Sequence, residues 1–216
     1  MRNKYNSLSI LHNKWVLLGA VLAVLIGCGT TAPSRLYTLT SLASSGGETH
    51  VFTDAYRLSI EVGPVQLPKY LDRLQIITRL SPNKIQTADF DRWAEPLEDN
   101  VLRVLVENLS HLLWDDHIAV FPWAGSTSAN YRVSVNIIRF DGQLGGDVFL
   151  MAGWAIHDIE NNITRLAKRS SLKTPSGHPS YDAMVSSKSR LLTDLSQEIA
   201  EGIRTMDKNK ASNNKP

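Results

Sequence analysis

The sequence is poor in cysteine, in acidic residues near its amino end and in long apolar runs. Cys28 is the only cysteine among 216 residues, which excludes an intramolecular disulfide, a CxxC redox pair and a thiolate metal site. The apolar run from Trp15 to Ile26 would span about 18 Å as a helix, whereas the hydrocarbon core of a bilayer is about 30 Å thick. The run is therefore too short to cross a membrane comfortably.

Missing motifs exclude further classes of function. Neither a GxSxG nucleophile elbow nor a GxxxxGK[ST] phosphate loop occurs, and Lys and Arg do not cluster with aromatic residues as they do in nucleic-acid-binding proteins. The sequences DDH at 115–117 and HDIE at 157–160 bring acids next to histidine but lack the HExxH spacing of a zinc site. We therefore expect no enzyme, no metal site and no nucleic-acid partner.

The amino-terminal residues have the order of an export signal. Arg2, Lys4 and Lys14 precede the apolar run, small residues follow it, and no Asp or Glu occurs from Met1 to Gly47. The end of the run resembles the lipobox of bacterial lipoproteins. The residues that carry this resemblance are Leu25, Ile26, Gly27 and Cys28.

The lipobox implies that the chain is cleaved before Cys28, that the thiol receives a diacylglycerol and that the new amino terminus receives an acyl chain. No other cofactor is expected. Two or three acyl chains hold a protein stably at a bilayer, whereas one chain does so only marginally. Gly29 follows, where lipoproteins retained at the inner membrane usually carry Asp, so the resemblance implies the periplasmic face of the outer membrane in a Gram-negative bacterium. The alternative is a buried structural cysteine that adjoins a signal.

One domain is expected between two segments without regular structure. Residues 1–27 are predicted to be the cleaved signal peptide, and residues 28–50 a lipidated tether, rich in small and polar residues, that contains a short strand. Residues 51–206 are predicted to form the domain, and residues 207–216 a disordered tail. The chain that remains after cleavage is long enough to bury one core.

Apolar and polar residues alternate in several segments, which predicts strands. The turn sequence DGQLGGD joins two of these segments as a hairpin, and the many charges of a third indicate an edge strand. The predicted strands lie at 36–40, 58–62, 74–80, 118–121, 131–137, 148–156 and 163–173.

Two segments have the spacing of amphipathic helices. A helix over 94–113 is predicted because Pro96 suits a first helical position and apolar residues cover most of its sides. A second helix follows the cap residue Ser180, with apolar residues recurring at helical spacing from Met184 to Ile203. The order of elements predicts an α+β fold, with a mostly antiparallel sheet and the two amphipathic helices packed on one face.

Five stretches together resemble the PqiC-type ABC-transport auxiliary lipoproteins. They are RLYTL at 35–39, VGPVQLPKYLDRLQIITR at 62–79, RWAEPLEDNVLRVLVENL at 92–109, FPW at 121–123 and YRVSVNIIRFDG at 131–142. The resemblance implies a subunit of an MCE-type intermembrane lipid transport system that docks a PqiB-like MCE protein, works with the inner-membrane partner of that protein and assembles into a homo-oligomeric ring. The alternative is an envelope lipoprotein that binds cell-wall glycan or assists the assembly of another envelope complex.

Within these stretches two surfaces are candidates for partner binding. The sequence LPKYLDR places Pro68, Tyr70 and Leu71 in a connection between strands, and RWAEPL places Trp93 just before the first helix. Exposed aromatic residues held by rigid turns make effective contact anchors. The alternative for Trp93 is that it fixes the start of the helix to the core.

Overall fold

The computed structural model describes residues 32–42, 56–123 and 129–213. Contacts divide the chain after Pro33, and the compact unit that begins at Ser34 contains all of the elements below. The elements in chain order are β1 (Arg35–Tyr37), β2 (Leu58–Gln66), β3 (Gln75–Ser81), β4 (Lys84–Trp93), α1 (Leu97–Leu112), β5 (Ile118–Pro122), β6 (Tyr131–Gly142), β7 (Asp147–Asp158), β8 (Ile163–Pro175) and α2 (Tyr181–Asn213).

The larger sheet has five strands in the order β5-β2-β6-β7-β8. Strands β6, β7 and β8 form the predicted hairpin and its third strand, all antiparallel, and the charged β8 lies at an edge as expected. Strand β2 pairs in parallel with both of its neighbours, β5 and β6. The α+β class is confirmed, and the longest pairings are antiparallel, but the sheet is mixed because long connections carry the chain from β2 to its parallel partners.

A second sheet has three strands in the order β1-β4-β3. Strands β3 and β4 form an antiparallel hairpin, and the short β1 pairs in parallel with the carboxyl end of β4. Strand β4 was not predicted, because its apolar residues Ile85, Ala88, Phe90 and Trp93 do not keep the period of two that marks a strand. The register between β3 and β4 shifts, which accounts for the broken pattern.

Both helices contact the larger sheet and each other. Helix α1 packs on β2 and β5, and α2 packs on β7 and β8, so the prediction of two helices on one face is confirmed. The hydroxyl of Ser180 accepts a hydrogen bond from the backbone N–H of Ala183 at 3.2 Å, which confirms its capping role. The buried residues of the two helices are Leu97, Val101, Val104, Leu105, Leu109, Met184, Leu191, Leu192, Leu195, Ile199 and Ile203.

Two boundaries differ from the sequence-based expectation. Helix α2 continues to Asn213, so it extends into the segment predicted to be a disordered tail. The strand predicted within the tether lies at Arg35–Tyr37, and Leu39 and Ser41 after it are buried. Within the part of the chain that the structure describes, neither helix carries an apolar stretch long enough to cross a bilayer.

Candidate functional site

The predicted lipid attachment and sorting residues precede the described part of the chain, which begins at Ala32. The lipobox residues Leu25, Ile26 and Gly27, the acceptor Cys28 and the sorting residue Gly29 therefore lie outside the described residues. Their roles remain predictions.

The segment Arg35–Leu42, here called the strap, joins this region to the domain. Its first residues are fixed by Asp91 at the end of β4: Arg35 donates from Nε and Nη2 to the two carboxylate oxygens, at 2.7 Å each. The hydroxyl of Tyr37 donates to the same carboxylate at 2.7 Å. The hydrogen bond from Arg35 is the main cause that lowers the pKa of the buried Asp91, so the carboxylate stays ionised and holds the strap.

The second half of the strap is hydrogen-bonded to both helices. The backbone N–H of Leu39 donates to Oδ1 of Asn100 at 3.1 Å, and that of Leu42 donates to Oδ1 of Asn108 at 2.8 Å. Between them the N–H of Thr40 donates to the hydroxyl of Ser189 on α2 at 3.1 Å. Both asparagines are fully buried on α1, so their side chains serve as acceptors for the strap backbone rather than as surface groups.

Two buried asparagines on the first predicted helix were a sequence signal for the strap. Asn100 and Asn108 lie eight residues apart on the apolar face of the first predicted helix, and a buried amide requires hydrogen-bond partners. A polar pair on that face therefore indicated a bound segment. The composition of residues 28–50 indicated a tether instead, and the partners are far away in the chain.

The β2–β3 connection holds three of the predicted partner-binding residues. The N–H of Leu71 donates to the carbonyl of Pro68 at 2.9 Å, which closes a tight turn, and Leu71 is only 2 % exposed because it packs in the core. The ring of Tyr70 packs against the core, and its hydroxyl donates to Oδ2 of Asp141 at 2.8 Å. Pro68 is partly exposed, and its side chain is not part of the core.

Asp141 on β6 is the centre of a buried polar network. Its carboxylate accepts hydrogen bonds from Nε and Nη2 of Arg79, at 2.9 and 2.7 Å, and from Nε of Arg139 at 2.8 Å, besides that of Tyr70. Burial alone would raise the pKa of this carboxyl, but the hydrogen bonds outweigh burial and lower it to about 2. Burial and the bond to the carboxylate raise the pKa of Tyr70 to about 12.

Lys188 extends the network into helix α2. Its side chain is fully buried, and Nζ donates to the carbonyl of Phe140 at 2.7 Å. The same Nζ lies 4.5 Å from the ring centroid of Phe140 and 5.3 Å from that of Trp93, within the range of cation–π attraction. Burial lowers the pKa of Lys188 to about 8, although the charge of Asp141 acts in the opposite direction.

The prediction that Leu71 and Trp93 form an exposed contact surface is therefore wrong for both residues. Trp93 is 2 % exposed, and its backbone N–H donates to the carbonyl of Leu74 at 2.7 Å. The alternative given for this tryptophan, that it fixes the start of the helix to the core, describes its position. A ring of this size stabilises the fold most when it is removed from water. The ammonium group of Lys188 lies beside it in the core.

Exposed aromatic side chains lie instead at β5. Tyr56, Phe121 and Trp123, here called the aromatic edge, are 43 %, 46 % and 40 % exposed, and the rings of Tyr56 and Phe121 meet edge to face at 6.2 Å. The backbone of Trp123 is fixed to β2, because its backbone N–H donates to the carbonyl of Val62 at 2.8 Å. Its ring lies 5.5 Å from the guanidinium of Arg132. The FPW stretch was the sequence signal for this surface. The spacing of its residues gave no reason to choose it over LPKYLDR or RWAEPL as a contact surface.

The two histidine motifs lie in different surroundings. His117 is exposed, and its Nδ1 lies 3.3 Å from the carbonyl oxygen of Asp115. His157 lies on β7 between two hydroxyls, with Nε2 at 2.9 Å from Ser134 and Nδ1 at 3.0 Å from Thr164. Among the residues that the structure describes, no group of three His, Cys, Asp or Glu side chains is placed to hold a metal ion.

Comparison with known proteins identifies what the chain is similar to. A family model described as the ABC-type transport auxiliary lipoprotein component matches residues 37–200. The intermembrane transport lipoprotein PqiC of Escherichia coli is 26 % identical over 193 residues, which are 89 % of this chain and 98 % of that protein. The PqiC of Shigella flexneri matches with the same identity and coverage.

Solved structures confirm the fold. An uncharacterised protein known from its crystal structure superimposes with a TM-score of 0.66 at 20 % identity, over 80 % of this chain and 99 % of that one. A protein from Xanthomonas campestris superimposes with a TM-score of 0.65 at 14 % identity, over 83 % of this chain and 99 % of that one. At these identities the likeness concerns the fold alone.

Proposed function

The chain belongs to the family of ABC-type transport auxiliary lipoproteins, and from this premise we propose that it is the docking subunit of an MCE-type lipid transport system. The coarser role, an auxiliary lipoprotein of intermembrane transport in a Gram-negative envelope, follows from the family and from the PqiC relatives. The finer role is that acyl chains on Cys28 hold the domain at the periplasmic face of the outer membrane. There it receives a PqiB-like MCE protein, which is linked to its own inner-membrane partner.

The aromatic edge is the observation that carries the docking role. Exposed Tyr, Phe and Trp side chains supply large contact areas at small entropic cost, and aromatic residues of this kind dominate binding energy at protein interfaces. Strand β5 is also an edge of the larger sheet within the described residues, so its outer backbone groups are available to pair with an extended partner segment. Both features suit binding rather than chemistry, and the proposal requires no catalytic step.

A homo-oligomeric ring is part of the same proposal. A ring would repeat the aromatic edge around an axis, so that weak contacts to a ringed partner would act together. Native mass spectrometry of the acylated protein in detergent tests this, and a purely monomeric spectrum would contradict it.

The docking role is tested by purifying tagged, acylated protein from native envelopes and identifying what accompanies it. We expect the MCE protein to co-purify, and Phe121→Ala to reduce its amount about tenfold, as expected for loss of an interface anchor. Leu144→Ala is the matched control, because Leu144 is exposed to a similar degree, 37 % against 46 %, but lies in the β6–β7 turn. Equal recovery with both variants would contradict the aromatic edge as the docking surface.

Two further outcomes test the premise of anchoring and the alternative role. Cys28→Ser should leave an uncleaved precursor without acyl chains, and normal acylated protein from this variant would refute the lipobox. Binding of the mature protein to isolated peptidoglycan, with no MCE protein recovered from envelopes, would favour the glycan-binding alternative.

A further inference from the structure

Exposed apolar side chains are concentrated on the smaller sheet. Among the described residues, eleven large apolar side chains are exposed, and five of them belong to β1, β3 and β4 or adjoin these short strands. These five are Leu36, Leu74, Leu80, Ile85 and Phe90. Scattered single apolar residues are normal on a protein surface, but a concentration of this kind marks a surface that meets another phase or molecule.

The β3–β4 hairpin tip, residues 80–87, is exposed at every position. Ile85 pairs directly with Arg79, and the register shifts between Arg79 and Ser81, so Leu80 lies at a bulge beside this pair. Leu80 and Ile85 are 48 % and 39 % exposed, so the tip presents two apolar side chains to its surroundings. The tip is held by Arg79, whose Nη1 donates to the carbonyl of Pro82 at 2.8 Å while its other nitrogens bind Asp141.

The amino end of β1 is directed toward this tip, although β1 itself lies beside the far end of β4. Strand β1 is parallel to β4, with Arg35 beside Asp91, and β4 begins at the tip, so the amino end of β1 faces the tip as well. Seven residue steps separate Cys28 from Arg35, which a fully extended chain spans in at most about 25 Å. Seven steps along β4 also separate Asp91 from Lys84 at the tip. A tether of this length permits the tip to touch the bilayer that would hold acyl chains on Cys28.

Basic side chains accompany the apolar tip. A cavity of about 540 Å³ beside the tip is lined by Arg79, Pro82, Arg139 and Gln143 among others, and Lys84 is exposed on the tip itself. One carboxylate, Asp141, is shared between the two arginines, and Asp147 in the same lining pairs with Lys173. The tip thus combines apolar side chains with an excess of positive charge, the combination that suits an anionic phospholipid surface.

We propose that the β3–β4 hairpin tip is a second membrane contact, which inserts Leu80 and Ile85 at the headgroup boundary of the leaflet that holds the acyl chains. Lys84 and Arg139 then face lipid phosphates, since long basic side chains place their charge at that level while their stems remain in apolar surroundings. The proposal rests on acylation of Cys28, which belongs to the proposed function. It fixes the orientation of the domain, which a flexible lipid anchor alone would leave free.

This orientation turns the aromatic edge away from the membrane. Phe121 pairs with Glu61, and Glu61 pairs with Arg132 near the start of β6. Ten residue steps separate Arg132 from Gly142, which lines the cavity beside the tip, and ten steps of a strand extend about 33 Å. The surface proposed to meet the MCE protein and the surface proposed to meet lipid are therefore at opposite ends of the larger sheet.

Two single-cysteine variants of the full acylated protein test the proposal. Because the thiol of Cys28 is consumed by the lipid, Ile85→Cys and Ile163→Cys each introduce a single free thiol for an environment-sensitive fluorophore. Ile163 is the matched control: it is 44 % exposed against 39 % for Ile85. It pairs with Asp158, and Asp158 pairs with Tyr131 at the start of β6, the end far from Gly142. The proteins are reconstituted in vesicles of phosphatidylethanolamine and phosphatidylglycerol that contain nitroxide-labelled lipid.

We expect a blue-shifted emission and strong quenching for the label at position 85, and solvent-like emission without quenching at position 163. Adding Lys84→Glu to the first variant should weaken the quenching, because it places a carboxylate at the lipid phosphates. Solvent-like emission at both positions, in protein that is acylated and floats with the vesicles, would overturn the membrane contact and leave the anchor intact. Protein without acyl chains that stays in solution would instead refute the proposed anchoring and remove the premise of this inference.

Discussion

Asp141 accepts hydrogen bonds from side chains of the β2–β3 connection, of β3 and of β6 itself. Its carboxylate joins the smaller sheet to the larger one, and Lys188 beside it joins helix α2 to the same place. Removing one partner from such a buried network leaves a charge without its hydrogen-bond partner. The resulting loss in the free energy of unfolding is larger than the net contribution of the bond itself. The predicted contact residues Tyr70 and Trp93 lie within this junction and stabilise it.

The lowered pKa of Asp141 predicts a loss of stability in acid. Its pKa is about 2 in the folded protein against 3.8 ordinarily, so its contribution is complete above pH 4 and is lost as the pH falls toward 2. The loss corresponds to about 2 kcal/mol, and urea unfolding at pH 5 and at pH 2.5 measures it. Tyr70→Phe removes one hydrogen bond to the carboxylate and should make the pH dependence shallower; identical curves for the two proteins would contradict this.

A second prediction at the scale of single residues concerns the strap. Asn108→Ala should lower the free energy of unfolding by about 1–3 kcal/mol, because the partly buried N–H of Leu42 loses its acceptor. Hydrogen exchange at the Leu42 amide should accelerate as well, which separates a loosened strap from a general loss of stability. Ser186→Ala, at an exposed position of α2, is the control and should change stability by less than about 0.5 kcal/mol.

At the scale of elements, strands β6 and β7 each contain one glycine, and the two glycines have opposite surroundings. A Cβ added at Gly142 would lie 2.6 Å from the carbonyl oxygen of Asp147 and 2.7 Å from Cα of Val148, both backbone atoms that cannot move aside. A Cβ added at Gly153 would meet nothing within 4 Å. The same substitution therefore meets a close backbone approach at one site and open space at the other.

We expect Gly142→Ala to destabilise the protein by about 1–3 kcal/mol through overpacking. Gly153→Ala should be neutral or should stabilise by up to about 1 kcal/mol, because alanine loses less backbone entropy on folding than glycine does. Urea unfolding of the two variants provides the comparison. A similar loss of stability in both would mean that the hairpin does not have the described packing.

Elements whose periodicity is complete could be predicted from the sequence, and the others could not. Helices α1 and α2 and the strands β6 and β7 keep their apolar spacing, because each presents one face to the core; β8 was predicted from its charges and from the turn before it. Strand β4 has a shifted register and exposed apolar residues at its tip, so its pattern is broken. The parallel partners of β2 could not be predicted either, because strand pairing is decided by the path of the chain and not by a local pattern.

The candidate site was predictable only in part for a related reason. The FPW stretch and the LPKYLDR connection were recognised, but no local pattern distinguishes an aromatic ring that is buried by distant elements, such as Trp93, from an exposed one, such as Trp123. The strap was predicted to be a short strand within a tether because the segments on both sides of it are rich in small and polar residues. Its order comes from Asp91, Asn100 and Asn108, which lie more than fifty residues away.

At the scale of the whole molecule, the hairpin tip and the aromatic edge are the two proposed contact surfaces, one for lipid and one for protein. The proposed orientation places lipid contacts at one end of the larger sheet and protein contacts about 33 Å away along β6. A partner that rises from the opposite membrane would then meet the aromatic edge without having to displace the domain from its own leaflet.

The destination membrane is predicted to depend on one residue. Gly29→Asp should move the acylated protein from the outer to the inner membrane, because Asp at this position marks lipoproteins that are retained there. Gly29→Ala is the control and should leave the distribution unchanged. Separation of the two membranes on a density gradient measures the result, and an unchanged distribution for the Asp variant would contradict sorting by this residue.

The parallel pairing of β1 with β4 has a mechanical consequence. In the proposed arrangement, tension on acyl chains at Cys28 would pull β1 along its own axis, across the direction of its hydrogen bonds to β4. Loaded in shear, those bonds and the two-pronged Arg35–Asp91 ion pair resist the force together, whereas a strand peeled from one end would release them in turn. The force would then pass from the strap into both helices through the hydrogen bonds of Leu39, Thr40 and Leu42.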